Sequence, residues 1–108
     1  MTSNIWFHIP FPYCKYHRRQ FKRHAYAFLS LHAAEIAAIR GKPVKLCVCA
    51  YYRKNGRSTG TRDTYPLSLI SSALRSVGVH VVDAAYTASG HTGCRGFVLV
   101  GLEVGDDA

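Results

Sequence analysis

Apolar residues recur along this chain with two periods. Val44, Leu46, Val48, Ala50 and Tyr52 alternate with Lys45, Cys47, Cys49, Tyr51 and Arg53, the period of two that lays one face of a strand on a core. From Gln20 to Arg40 the period lengthens. Phe21, Ala25, Phe28, Leu29, His32, Ile36 and Ile39 recur at helical spacing, with Gly41 as a stop and Pro43 beyond it, so one helix over 20–40 is predicted, with His24 and His32 as helix-face residues. A second helix is predicted over 66–77. Leu67, Ile70, Ala73, Leu74 and Val77 form its buried stripe, Thr64 is placed as N-cap, Pro66 fits the first turn, and Gly78 supplies a left-handed C-cap.

Three further segments read as strands. Asn4 to Ile9 is aromatic and β-branched and is stopped by Pro10 and Pro12; Val79 to Ala85 and Gly96 to Val104 are apolar runs. Thr87 to Arg95, with Gly90, His91 and Gly93, reads as a loose hairpin connection, and 54–62 as a loop rich in Gly, Ser, Thr and Arg. Residues 105–108 read as a frayed tail. The order β-α-β-α-β-β predicts an α+β fold, a four-stranded mixed sheet with two helices packed against it, in a single domain over 1–108. No internal repeat is visible.

Charge changes the picture. Among 108 residues, 14 Lys and Arg face 6 Asp and Glu, a formal net charge of +8, which favours a polyanion through counterion release. The cations cluster: Lys15, Arg18, Arg19, Lys22 and Arg23 form one block, and Arg53, Lys54, Arg57 and Arg62 another, interleaved with Tyr13, Tyr16, Tyr51 and Tyr52. Basic blocks with aromatics between them point to nucleic acid; a basic face for an acidic protein is the competing reading. No apolar run reaches the roughly 18 residues of a membrane span, and no basic leader precedes a long apolar segment, so a cytoplasmic setting without membrane contact is expected.

Cys14, Cys47, Cys49 and Cys94 lack a Cys-x-x-Cys knuckle. They read as free thiols, with Cys47 and Cys49 projecting from one face of a strand. The acidic residues are more specific. Asp63 closes the basic loop at the start of the second helix and Asp83 follows on the next strand, so the two carboxylates are predicted to stand near one another beside a polyanion-binding surface. His80, an odd number of positions from Asp83, is predicted to point to the opposite face of a regular strand.

These residues resemble RusA, the phage-type Holliday junction resolvases, in element order over nearly the whole chain. Ile9-Pro10-Phe11-Pro12 is similar to the family's first strand and proline-rich turn. Pro43-Val44-Lys45-Leu46 is similar to the start of its second strand. The loop ending Arg62-Asp63 resembles its arginine-rich loop with the first catalytic aspartate, and Ala73-Leu74-Arg75-Ser76-Val77-Gly78 followed by Val82-Asp83-Ala84 completes the pattern. The resemblance implies a homodimer that binds four-way DNA junctions and cuts them with Mg2+. It carries catalytic and metal-binding roles onto Asp63 and Asp83. The basic blocks set Lys15, Arg18, Arg19, Arg53, Lys54, Arg57 and Arg62 against DNA, and Tyr65 either stacks on an exposed base or packs, packing being the more frequent role. The chain also departs from the family. Where the family writes Asp-x-Asp-Asn, this chain has Asp63-Thr64-Tyr65-Pro66; the family's helix lysine falls at Leu69, and the first of its paired strand aspartates at Val82.

Two-metal phosphodiester cleavage uses several carboxylates in near-octahedral array, and two remain. The expected function is therefore binding of branched DNA, with magnesium-dependent endonuclease activity weak or lost. The alternative is a non-enzymatic module that keeps the fold and turns its surface toward a protein partner.

Overall fold

The computed structural model describes residues 3–10, 18–53, 64–91 and 96–105. Its elements run β1 (Ser3–Ile9), α1 (Arg18–Leu31), α2 (Ala33–Ala38), β2 (Pro43–Arg53), α3 (Tyr65–Ser76), β3 (His80–His91) and β4 (Phe97–Val104). The four strands form one mixed sheet in the order β1-β4-β2-β3, an α+β arrangement. β4 is antiparallel to both β1 and β2, and β2 is parallel to β3.

Strand alternation sorts the sheet into two faces. Phe7 and Ile9 of β1, Val44, Leu46, Val48 and Ala50 of β2, Val81 of β3, and Val98, Val100, Leu102 and Val104 of β4 are buried with Phe21, Ala25 and Phe28 of α1, Ile36 of α2 and Ile70 and Leu74 of α3 in one core. The other face carries Trp6, Lys45, Asp83 and Glu103, all exposed.

The helix predicted over 20–40 is two helices. His32 leaves helical geometry at φ −106° and ψ 24°, and its ring packs 4.7 Å from both Phe7 and Phe28. Because the apolar spacing runs on from Phe28 through His32 to Ile36, the periodicity carries no mark of the break. α2 then ends where expected, at a turn closed by Gly41 with φ +78°. Gly78, at φ +93°, ends α3 as predicted: its N–H donates to the Arg75 carbonyl at 3.1 Å and that of Val79 to the Leu74 carbonyl at 3.0 Å. Thr64 stands at the N-cap position of α3 without a side-chain capping bond.

The last two strands are not a hairpin. β3 extends to His91, beyond the predicted limit at Ala85, and pairs only with β2, whereas β4 takes the opposite edge of β2 and the edge of β1. The division follows burial. Val98, Val100, Leu102 and Val104 fill the core side of an interior strand, while β3 past Asp83 (Ala84 to His91) has no Val, Ile or Leu and is mostly small or polar, suited to a sheet edge.

A bulge in β3 corrects a second expectation. Val44 pairs with Val81 but Lys45 with Asp83, so Val82 is the extra residue. The inserted position restores the parity of His80 with Asp83, and both lie on the helix-free face.

On that face, Trp6 pairs with Gly101. A Cβ at Gly101 would stand 2.6 Å from Trp6 Cζ3 and 2.8 Å from Cη2, so the indole lies across the glycine and covers its backbone. Replacing Gly101 with alanine is expected to push the indole into solvent, red-shifting emission from this single tryptophan. The expected cost is about 1 kcal/mol or less, because only the free end of the ring must move.

Candidate nucleic-acid interface

The solvent side of α1 holds four cations within six residues. Arg18, Arg19, Lys22 and Arg23 are exposed, while Phe21, Ala25 and Phe28 turn inward. The helix has no acidic residue in its first turn and no basic residue in its last, the reverse of what the helix dipole favours. Arg18 with Lys22, and Arg19 with Arg23, are like-charge pairs at i, i+4, each costing a few tenths of a kcal/mol. A helix that holds its charges against both effects presents a positive surface that an anionic partner would relieve.

Two of the residues predicted from sequence meet. The Arg18 guanidinium lies over the Tyr65 ring at 4.9 Å from its centroid, and Tyr65 is part-buried against the core. Tyr65 thus packs against the core and braces Arg18, the packing role being the more frequent of the two expected of it. The contact sets the N-termini of α1 and α3 side by side. Their positive dipole ends share the end of the sheet where β1, β2 and β3 finish and β4 begins, fixed by the rows Ile9–Val98–Ala50 and Arg53–His91. Arg53 is the last residue of β2 there. Lys15, Lys54, Arg57, Arg62 and Asp63 lie outside the described residues.

Asp83 is elsewhere. It sits on the helix-free face near the start of β3, beside Lys45 in the pairing, and its Oδ1 accepts from the Ala84 N–H at 2.9 Å. Eight residues of strand, roughly 26 Å, separate it from the end of β3. Thr64, which follows Asp63, starts α3, whose 12 residues span roughly 18 Å before the chain turns into β3. The structure does not bring Asp83 to that helix start.

The nearest carboxylate in the pairing pattern is Glu103, with Lys45 between them: Asp83 and Glu103 pair with it from β3 and β4. Two carboxylates with a lysine between them in the register are too few ligands to cage a divalent ion, and among the described residues no three His, Cys, Asp or Glu groups converge as ligands. Magnesium, with its demand for several oxygens in octahedral array, does not fit this donor set.

The periodicity gave no sign of two features of the helix-free face. Tyr51 and Phe97 stack at 4.6 Å and 23°, and His8 meets Phe97 at 4.9 Å. Lower on the same face, Trp6, Lys45, Cys47, Asp83 and Glu103 line an opening of about 430 Å³. Both depend on cross-strand register, which the β1-β4-β2 order creates.

No helix among the described residues is long and apolar enough to cross a membrane. In comparison with known proteins, the chain matches no family model and no curated protein.

Proposed function

We propose that this protein binds DNA through the basic side of α1 and the sheet end beside it, with branched DNA as its preferred form and magnesium-dependent cleavage weak or lost. The carrying observation is the exposed set Arg18, Arg19, Lys22 and Arg23 on a helix without an acidic residue in its first turn, in a chain of net charge +8. Phosphates are the ligands that such a surface favours. The preference for branched DNA, and assembly as a homodimer, rest on the RusA resemblance.

The site chemistry supports weak or absent cleavage. Asp83 has Lys45 as its neighbour where a metal centre would need further carboxylates. The test is a titration into a labelled four-way junction and a matched duplex, in calcium and then magnesium, followed by a denaturing gel. Junction-selective binding without cuts is expected, and Asp83→Asn should leave the affinity within about twofold, since its carboxylate lies at the other end of the sheet from the cations. Magnesium-dependent cuts that Asp83→Asn abolishes would overturn the non-catalytic part of the proposal. Absence of DNA binding would overturn its core.

One observation favours the protein-module alternative. Trp6, on the helix-free face, and Val82, the bulge residue of β3, are large apolar side chains 59% and 50% exposed. Salt-insensitive association with a protein, without affinity for DNA, would support that reading.

A further inference from the structure

Cys47 and Cys49 alternate on β2, which is paired on one side by β4 and on the other by β3. The strand period puts both thiols on the helix-free face, and their sulfurs stand 3.7 Å apart. Cys47 lies between Gly101 and Ala85 in the register, and Cys49 between Leu99 and Thr87. The small neighbours of Cys47 leave it open, and it lines the 430 Å³ opening together with Trp6.

We propose that Cys47 and Cys49 form a dithiol site for a thiophilic centre that two thiolates hold at a bent angle, such as a trivalent arsenical. Three observations converge on this class. The sulfur separation is the first: two thiolates held about 2.3 Å from one centre at a bent angle near that of a tetrahedron stand about 3.8 Å apart, which suits a pyramidal centre and not a linear two-coordinate one, so the pair is already at chelating distance and the strand need not move. The second is the backbone. Alternate residues of a strand have Cα atoms roughly 6.6–6.8 Å apart, the far limit of what a disulfide tolerates, and pairing on both edges holds β2 extended. Chelation suits this geometry better than oxidation, and both cysteines are free thiols. The third is the small ligand set. No third His, Cys or carboxylate joins the pair among the described residues, which disfavours a four-ligand structural zinc site and leaves soft ions of low coordination number.

Burial, then the neighbouring Cys49 sulfur, pushes the Cys47 thiol above its usual range.

The probe is phenylarsine oxide, which condenses with a dithiol as R–As=O + 2 R′–SH → R–As(S–R′)₂ + H₂O. Two As–S bonds form, the thiol protons leave with the oxygen as water, and no oxidation state changes. Intact-mass measurement of the folded protein should show one arsenical per chain, accompanied by a change in Trp6 emission because Trp6 shares the opening with Cys47. The adduct should be lost in Cys47→Ser and in Cys49→Ser, with Cys47→Ala and Cys49→Ala as second variants and circular dichroism confirming that each is folded. It should persist in the Cys14→Ser/Cys94→Ser protein. No adduct on the folded wild-type chain, an adduct surviving loss of Cys47 or Cys49, or one lost with Cys14 and Cys94, would each overturn the site. The result does not depend on DNA binding.

Discussion

Replacing Arg19, Lys22 and Arg23 together with alanine is expected to weaken binding to a four-way junction about a hundredfold near physiological salt, with no loss of stability. Each phosphate contact contributes about 1 kcal/mol at such a surface; three sum to about 3 kcal/mol, two factors of ten. The logarithmic salt slope should fall by about 3, one for each lost contact. Arg18 stays in place because it stacks on Tyr65, and removing it would confound binding with packing. Stability is predicted to hold or rise slightly, since alanine relieves the unfavourable dipole and like-charge terms and is the best helix former. Fluorescence anisotropy and thermal unfolding of the same variant separate the two effects. A variant that loses binding only because it unfolds would contradict the assignment.

Phe21→Ala is expected to destabilise the fold by about 3–5 kcal/mol. Phe21 is fully buried on the inner side of α1, among the strand residues that anchor that helix to the sheet. The loss is a large share of the roughly 5–15 kcal/mol that holds a domain together, and should lower the Tm by about 20 °C. Leu31→Ala offers the contrast: Leu31 is 82% exposed at the end of α1, and its truncation should move stability by no more than about 0.5 kcal/mol. Thermal unfolding by circular dichroism checks both. Similar losses at the two positions would mean that α1 packs with a different face inward.

That contrast marks what the sequence makes legible. Phe21, Ala25 and Phe28 lie at helical spacing and are buried; Val44, Leu46, Val48 and Ala50 alternate and line the core; Gly41 and Gly78 end their helices with positive φ. Each of these follows from local periodicity or from the steric freedom of glycine. The break at His32 leaves the apolar spacing intact and depends on ring contacts with Phe7, which belongs to a distant strand. The placement of β4 between β1 and β2 is a choice among partners, and short connection length alone favoured the hairpin.

The candidate site was legible to a similar depth. Arg18, Arg19, Lys22 and Arg23 of the first basic block are exposed on α1, which begins two residues before the start predicted from the apolar spacing. Tyr65 proved to be packed under Arg18, a contact between elements that no local pattern encodes. Nothing around Val82 announced the bulge that brings His80 to the face of Asp83, because an inserted residue leaves the apolar run Val79 to Val82 unbroken. Asp83 itself followed α3 as predicted, but the chain reverses at Gly78 and enters the sheet at the C-terminal end of that helix, on the far side from its start.

If an electrostatic surface on α1 binds DNA, junction affinity measured across a series of salt concentrations should be high at low salt and fall steeply as salt rises, with a slope that loses about 3 in the Arg19, Lys22, Arg23 alanine variant. A junction affinity that is absent at low salt, or a slope unchanged by those substitutions, would rule that surface out.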